Sequence, residues 1–387
     1  MNDNTDESAL VARADAAAAQ RRFGEALEFL KTAIAGGARE LETFLKAASL
    51  YRANKEPRPA LALVDRALEL EPLHFVTLFL RAGLLEQLSE PGVGEAYERA
   101  LAQRGTAPLP PPMQAAVTRA ESIVAGHKNA SLDALTSALA PALDEATDLE
   151  GERMRRFASN SVRETQVHHS EPVLYHYPGL PEYEFHHRSH FPWLDHLEAA
   201  SEAIGEELGA VMRAERAELV PYVTYDDAVP MQQWKPLNRS LDWTAIHLLF
   251  RGDRVEANAR HCPRTMELLA RLPQPDLPGS GPNAMFSLLK PGTHIPPHHG
   301  VANFRLVCHL PLIVPNDCWF RVGATRRKWI AGEAFVFDDT IEHEAANQSD
   351  ELRVVLIFDV WHPALSEIER RGIAAMMAAT PGLGTQL

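Results

Sequence analysis

The feature that most constrains the fold is a series of short apolar runs between residues 245 and 361. The runs are rich in β-branched and aromatic residues and end at Gly, Pro, Asn or Asp, which is typical of β-strands. They cover residues 245–250, 283–289, 304–314, 318–323, 333–338 and 352–361. Helical patterns come earlier, at about 193–216 and 263–271, and the later strands follow one another directly. This order favours an antiparallel sandwich or barrel over alternating β–α–β units.

Residues 1–105 differ from this region because they are rich in Ala and Leu at helical spacing and contain an internal repeat. Segment 25–34 aligns with 59–68, and 94–101 is a weaker third copy. The aligned small residues, spaced by 34 and then 33 positions, are Ala33, Ala67 and Ala100. This period resembles the tetratricopeptide repeat, and about three repeats are near the minimum for a stable stack. We therefore expect an N-terminal α-helical repeat solenoid, whose extended surface suits a peptide or protein partner.

The remaining boundaries follow from composition. A proline-rich stretch at 104–112 interrupts the helices, and a further helical stretch covers about 113–160. We predict three segments: repeats at 1–105, a break with connector helices at 106–165, and a β-rich domain at 166–387.

The overall charge excludes two classes of partner. The chain has 387 residues, with 38 basic and 52 acidic side chains and a formal net charge of −14. Binding to nucleic acid or to anionic lipid depends on Lys and Arg, so we expect neither nucleic acid nor a membrane as partner. The polar N-terminus has no signal-peptide pattern, no apolar run reaches about 18–20 residues, and three cysteines suit no disulfide framework. We expect a cytoplasmic protein with buried thiols.

Two histidines and an arginine in the β-rich region form a candidate metal and anion site. His298 precedes one strand, His343 lies beyond a second, and Arg353 begins a third. Imidazoles at the ends of neighbouring strands can bind one divalent metal. A buried Arg353 needs an anionic partner, which a bound dicarboxylate or a structural Asp338 or Asp359 would provide. The pairs His168-His169 and His186-His187 have the character of exposed loop residues.

The stretch from about 175 to 363 resembles the aspartyl/asparaginyl β-hydroxylase family of iron(II)- and 2-oxoglutarate-dependent oxygenases. The resemblance is carried by FSLLKPGTHIPPHHGVANFRLVCHLPLIVP and by WIAGEAFVFDDTIEHEAANQSDELRVVLIFDVWHP. It implies a double-stranded β-helix, or jelly roll, with flanking helices. Some members of the family also carry helical repeats before this domain.

The resemblance also implies roles for individual residues. His298 and His343 match the two iron ligands, and Gly300 stands where related oxygenases have a carboxylate ligand. The acidic pair Asp338-Asp339 matches family residues that do not bind the metal. The residues that match contacts to 2-oxoglutarate are Arg353, His309, Ser287 and Trp243. Arg305 matches an arginine on the substrate side, and no catalytic residue is implied beyond the metal centre.

The sequence departs from the mammalian-type members at two places. They have an arginine where this chain has Val307, so one contact to the 2-oxoglutarate carboxylate is missing or comes from elsewhere. They also have a disulfide-closed loop where this chain has Ala259 and Met266. The loss of that pair agrees with a reducing compartment and argues against a disulfide-bonded substrate domain.

We therefore expect a dioxygenase that uses Fe(II), 2-oxoglutarate and O2 to hydroxylate an unactivated carbon. The expected target is the β-carbon of Asp or Asn in a peptide or protein that the helical repeats help to bind. Three alternatives stay open: the same chemistry on a free or carrier-bound amino acid or an acyl chain, an inactive helical-repeat scaffold, and a cupin-type metal-storage or sensing domain.

Overall fold

The computed structural model describes residues 3–214, 218–225 and 234–379, with side chains from residue 7 onward. The chain divides into two compact units, Met1–Glu164 and Thr165–Leu387. None of the helices in the described part of the chain combines the length and the apolar character of a membrane span.

The first unit is a succession of helices, each packed against the next along the chain. They are α1 (Asp3–Ala19), α2 (Phe23–Gly36), α3 (Leu41–Ala53), α4 (Pro57–Leu70), α5 (Phe75–Gln87), α6 (Val93–Leu101), α7 (Pro111–Glu145) and α8 (Asp148–Ser161). The repeated small residues lie on α2, α4 and α6, and Ala33, Ala67 and Ala100 are all fully buried. The absence of bulk at these positions lets neighbouring helices approach closely, so the predicted helical repeats are confirmed.

The helices predicted as a connector belong to the first unit. The long helix α7 begins at the prolines that end the predicted break, where a missing backbone N–H costs nothing. A capping box between Thr147 and Glu150 starts α8.

The second unit contains two antiparallel sheets, as the succession of strands predicted. Its strands are β1 (Val220–Pro221), β2 (Trp243–Phe250), β3 (Asp253–Arg254), β4 (Ala284–Leu289), β5 (Thr293–His298), β6 (Arg305–Ile313), β7 (Cys318–Val322), β8 (Thr325–Arg327), β9 (Phe335–Phe337), β10 (His343–Asn347) and β11 (Arg353–Trp361). The larger sheet has the order β1-β2-β4-β11-β6-β9, with β3 paired to β2. The smaller sheet has the order β5-β10-β7-β8.

The two faces of the larger sheet have different partners. One face packs on the helices α9 (Leu194–Ala199), α10 (Ser201–Arg213) and α12 (Pro263–Leu269). The short helix α11 (Glu256–Ala259) lies between α10 and α12 along the chain. The other face shares an apolar core with the smaller sheet, through residues such as Val355, Phe320 and Ala345. A last helix, α13 (Glu367–Ala379), packs on Trp361 and Phe304. Alternate residues of β6 and β11 therefore face the space between the sheets.

All three cysteines, Cys262, Cys308 and Cys318, are buried free thiols, as expected. The prediction for His186 was wrong: this ring is 6% exposed and packs among Tyr183, Phe191 and His362. The residues that follow it, His187 and Arg188, are polar, which made the pair look like a surface loop.

Candidate functional site

A cavity of about 1450 Å³ in the second unit brings together every site residue that the sequence predicted. Those residues in its lining are Trp243, Ser287, His298, Gly300, Arg305, His309, His343 and Arg353. The larger sheet supplies the residues predicted to bind 2-oxoglutarate, and the smaller sheet supplies the two predicted metal ligands.

His298 and His343 lie directly opposite each other on the paired strands β5 and β10. Their ring centroids are 3.9 Å apart. In each ring, Nδ1 lies within hydrogen-bonding distance of a backbone carbonyl two residues earlier, at 2.8 Å from Pro296 and 3.1 Å from Ile341. A carbonyl only accepts, so we assign the proton to Nδ1 in both rings, which leaves an unprotonated Nε2 in each.

Burial keeps both imidazoles neutral. Desolvation lowers the pKa of His298 to about 4, and it lowers the pKa of His343 well below its ordinary value, with the neighbouring His298 as a second cause. A neutral imidazole with a free Nε2 is the form that binds a metal ion, and a hydrogen bond from the other nitrogen fixes its orientation.

The space beside these rings has no room for a side chain on Gly300. A Cβ built on this residue would lie 2.2 Å from Cγ and Oδ2 of Asp339. Its backbone N–H also donates to the carbonyl of Asp339, at 2.6 Å. Among the described residues, no group of three or more His, Cys, Asp or Glu could hold a metal ion. In the described part of the chain, the pair of neutral imidazoles is what the cavity could offer a metal.

The carboxyl of Asp338 forms hydrogen bonds within its own turn. Its Oδ1 accepts hydrogen bonds from the backbone N–H of Thr340, at 2.9 Å, and from the hydroxyl of the same residue. Burial raises the pKa of Asp338 to about 7. These bonds turn the carboxyl back toward its own backbone.

Arg353 is 2% exposed and has no carboxylate partner among the described residues. Its Nη1 lies 3.4 Å from both the carbonyl and the hydroxyl of Ser287, its guanidinium lies 4.7 Å from the ring centre of Trp329, and its Nε is unpaired. Burial lowers the pKa of Arg353 to about 10, so the group stays protonated at neutral pH. A buried cation without an anion is costly, so the pocket around Arg353 is suited to an anionic ligand.

Neighbouring side chains shape this anion pocket. Trp243 Nε1 donates to Ser287 Oγ at 3.0 Å, so the hydroxyl is fixed in place. Trp329 Nε1 donates to His309 Nδ1 at 3.4 Å. Burial, together with the nearby Arg353 charge, lowers the pKa of His309 well below its ordinary value. The polar groups around Arg353 are therefore neutral, and they surround a single positive charge.

Arg305, the other predicted arginine, has the opposite environment. Its Nη1 lies 3.0 Å from Asp359 Oδ1, and its Nη2 lies 3.2 Å from Asp339 Oδ2. Burial opposes the charge, but the two carboxylates outweigh it and raise the pKa of Arg305. Asp359 was considered a partner for Arg353, and the structure pairs it with Arg305.

Sequence reasoning missed several residues of the cavity. Tyr222 stacks on Trp243 with ring centres 3.8 Å apart, and Trp234 lies 4.8 Å from the ring of His298. Trp329 was also missed, because nothing in its local sequence distinguishes a core aromatic from one in a site. Asp359 as a residue of the site could have been found by alternation, since positions 353, 355, 357 and 359 of one strand share a face.

Comparison with known proteins agrees with the resemblance found in the sequence. Residues 198–363 match the family described as Aspartyl/Asparaginyl beta-hydroxylase. The human aspartyl/asparaginyl beta-hydroxylase is 35% identical over 136 residues, which is 35% of this chain and 18% of that protein. Human aspartate beta-hydroxylase domain-containing protein 2 is 35% identical over 161 residues, or 41% of this chain and 44% of that protein. The match therefore spans less than half of either human protein.

A bacterial relative has a different stated substrate. The ornithine lipid ester-linked acyl 2-hydroxylase of Rhizobium tropici is 36% identical over 179 residues, which cover 46% of this chain and 59% of that protein.

Solved structures similar to this chain include the Sgt2 TPR domain of Aspergillus fumigatus, with a TM-score of 0.28 and 15% identity over 32% of this chain and 82% of that one. PcrH of Pseudomonas aeruginosa gives a TM-score of 0.27 and 15% identity over 33% of this chain and 93% of that one. These TM-scores are too low to support an argument about the fold. The assignment of helical repeats therefore depends on the packing and periodicity of this chain.

Proposed function

We propose that this chain, whose residues 198–363 match the aspartyl/asparaginyl beta-hydroxylase family, is an iron(II)- and 2-oxoglutarate-dependent hydroxylase. One observation carries the proposal. A pair of neutral imidazoles and a buried arginine without a carboxylate partner line the same cavity. The first feature suits a divalent metal, and the second suits the carboxylate of a co-substrate.

The donor set fits Fe(II). Each histidine presents a free Nε2 while its Nδ1 is held by a backbone carbonyl. The two imidazoles would supply the protein's ligands to the metal, and the crowding at Gly300 excludes a carboxylate side chain from that position. In this proposal His298 and His343 hold the metal.

The anion pocket fits 2-oxoglutarate. Arg353 would bind the carboxylate farther from the metal through its two-pronged guanidinium, and Ser287 Oγ, held by Trp243, would give it a further hydrogen bond. His309 lines the same pocket. With Fe(II) and O2, this co-substrate supplies the oxidant that replaces an unactivated C–H by C–OH, leaving succinate and CO2.

The side chains then have three tasks: binding, orientation and exclusion of water. Arg353 fixes the co-substrate, the two backbone carbonyls orient the imidazoles, and the aromatic rings of Phe320, Phe337 and Trp329 form a dry wall. No acid or base is required from the protein, since the C–H bond is not broken by proton transfer to a side chain. We also propose that the two antiparallel sheets form the jelly roll typical of such oxygenases.

For the substrate we propose a peptide or protein side chain, hydroxylated at the β-carbon of Asp or Asn. The name of the human relative supports this target, and the helical repeats of the first unit would add a second surface for a peptide. The Rhizobium relative favours a second candidate, an acyl chain hydroxylated at the carbon next to its carbonyl, which the many apolar residues of the cavity would accommodate.

The test is Fe(II)-dependent conversion of 2-oxoglutarate to succinate by the full-length chain. His343→Ala should reduce turnover at least 100-fold, because one of the two metal ligands is lost. The matched control is His294→Ala, on the same strand as His298 but half-exposed and paired with Glu344. Succinate formation by His343→Ala at the wild-type rate would refute the proposal.

A further inference from the structure

The two predicted arginines of the cavity differ in how much positive charge they leave for a ligand. Arg353 has no acidic partner among the described residues, whereas Arg305 contacts Asp339 and Asp359. The side chains of these three residues are 17%, 10% and 8% exposed, in the order Arg305, Asp339, Asp359. Screening by water is therefore weak within the trio.

Hydrogen bonds hold Asp359 in place, and close packing confines Asp339. Asp359 Oδ2 accepts from both the backbone N–H and the side-chain amide of Asn283, at 3.1 and 2.9 Å, while its Oδ1 faces Arg305. The carboxylate of Asp339 fills the space beside Gly300. Arg305 therefore already has a carboxyl partner on each side, at 3.0 and 3.2 Å.

Other lining residues do not restore a positive charge. Val307, the next residue on the Arg305 face of β6, is uncharged. Two further charged residues line the cavity, Arg251 and Glu218, and their opposite charges cancel. Apart from Arg353, the described side chains that line the cavity carry no excess of positive charge. The proposed Fe(II) does not change this balance for a substrate, because its two charges would be offset by the two carboxylates of 2-oxoglutarate.

A carboxylate brought to Arg305 would be a third anion beside one cation, or would have to displace Asp339 or Asp359. Repulsion between like charges in a partly buried site disfavours the first, and the bonds to Asn283 oppose loss of Asp359. A primary amide suits the trio better, because its carbonyl accepts from a guanidinium while its NH₂ donates to a carboxylate.

Resting on the hydroxylase function proposed above, we infer that this chain selects an Asn side chain over Asp in its peptide substrate. The specificity residues are Arg305, Asp339 and Asp359. A site whose arginine had no acidic partner would instead favour an acidic side chain.

The experiment uses two degenerate peptide libraries that are identical except for a central Asn or a central Asp. Binding to the 387-residue chain is measured with Mn(II) and 2-oxoglutarate present and O2 absent, by the fluorescence of its tryptophans, of which Trp234, Trp243 and Trp329 line the cavity. Oxygen gain is measured in parallel by mass spectrometry with Fe(II) in air. Wild-type protein should bind the Asn library at least ten times more tightly than the Asp library.

Asp359→Asn removes one anion from the trio and should lower this preference about tenfold by strengthening binding of the Asp library. Asp339→Asn should act in the same direction, which covers the case in which the first variant folds poorly. The matched control is Asp317→Asn, at an exposed turn residue with φ 63°, a conformation that Asn also tolerates. The control removes the same charge and should leave the preference unchanged.

Equal or tighter binding of the Asp library by wild type would overturn the inference. So would an unchanged preference in both trio variants, or no binding of either library by any of the proteins. Succinate formation from 2-oxoglutarate alone, without peptide, tests the proposed function separately. A protein that makes succinate but prefers Asp retains the proposed function and refutes only the selection for Asn.

Discussion

At the scale of single residues, Gly300 shows how the space beside the two predicted metal ligands limits the sequence. Its Cα faces the carboxylate of Asp339 so closely that even a methyl group would overlap it. Asp339 cannot retreat freely, since it is 7% exposed and contacts Arg305. Gly300 is therefore required by packing, whether or not a metal is bound.

Gly300→Ala should lower the free energy of unfolding by about 1–3 kcal/mol, the usual cost of overpacking a filled site. The measurement is urea denaturation followed by circular dichroism. The control is Gly372→Ala, in the exposed middle of α13 with nothing within 4 Å of the added methyl, which should stabilise the chain by about 0.5–1 kcal/mol. Equal effects of the two substitutions would contradict the packing argument.

The buried ring of His186 makes a pH-dependent contribution to stability. Both its nitrogens lack a hydrogen-bond partner among the described residues, and burial, followed by the nearby rings of His362 and His190, lowers its pKa to about 3. The unfolded chain takes up this proton near pH 6.5 and the folded chain does not. Stability attributable to His186 is therefore full above pH 6.5 and declines as the pH falls toward 3.

His186→Phe should remove this dependence while keeping the ring contacts to Tyr183 and Phe191. Between pH 6 and 4.5, the free energy of unfolding should fall less steeply than in wild type, by up to about 1.4 kcal/mol per pH unit. Urea titrations across this range give the slopes. Parallel slopes for variant and wild type would show that His186 is protonated in the folded state.

Sequence reasoning found the residues with distinctive chemistry and missed their partners. His298, His343 and Arg353 carry signals in type and spacing, and all line one cavity. The pairing of Asp359 with Arg305 depends on the register of β11 against β6, which places Asp359 opposite Val307, and a single sequence does not contain that register. The stacking of Tyr222 on Trp243 has the same origin.

At the scale of elements, apolar patterning predicted the strands of the larger sheet better than those of the smaller one. The runs that became β2, β4, β6, β7, β9 and β11 were all predicted. The strand β5 was not, because it contains Pro296 and Pro297, and prolines argue against a strand except at a sheet edge. The strand is in fact at the edge of the smaller sheet.

Its partner β10 was missed for another reason. The sequence HEAAN has polar and small residues rather than β-branched ones, and its strand form comes from pairing with β5 and β7 on both sides. Because the two metal-ligand candidates lie on these weakly encoded strands, tertiary pairing rather than local preference sets their separation.

In the helical repeats, substitution of a buried small residue should show how closely the helices pack. Ala67→Leu should lower the free energy of unfolding of the first unit by about 1–3 kcal/mol, because Ala67 is fully buried and a larger side chain must push helices apart. Ala62→Leu on the same helix is the control, since Ala62 is exposed and Leu forms helix nearly as well as Ala.

Hydrogen exchange measured by mass spectrometry locates the effect. Exchange in α3, α4 and α5 should accelerate in Ala67→Leu and stay at the wild-type rate in Ala62→Leu. Unchanged exchange in both variants would mean that the alanines do not determine the spacing of the helices.

At the scale of the whole molecule, stability and ligand binding place opposite demands on Arg353. A buried guanidinium without an anion destabilises the unliganded protein. A bound carboxylate removes this cost by pairing with the charge, so binding should stabilise the fold. The formal net charge of −14 does not supply the missing anion, because no acidic side chain in the described part of the chain contacts this group. Global stability should therefore respond strongly to a small dicarboxylate.

Arg353→Met should expose this trade-off, since methionine fills much of the same space without the charge. Without ligand, the variant should unfold at the same or a higher urea concentration than wild type, because the uncompensated charge is gone. With Mn(II) and 2-oxoglutarate at about 100 times its Kd, wild type should gain about 2.7 kcal/mol and the variant almost nothing. Arg271→Leu, an exposed arginine paired with Glu267, is the control and should gain as much as wild type. If Arg353→Met is strongly destabilised without ligand and still gains the full amount with it, Arg353 is a structural cation and another group binds the co-substrate.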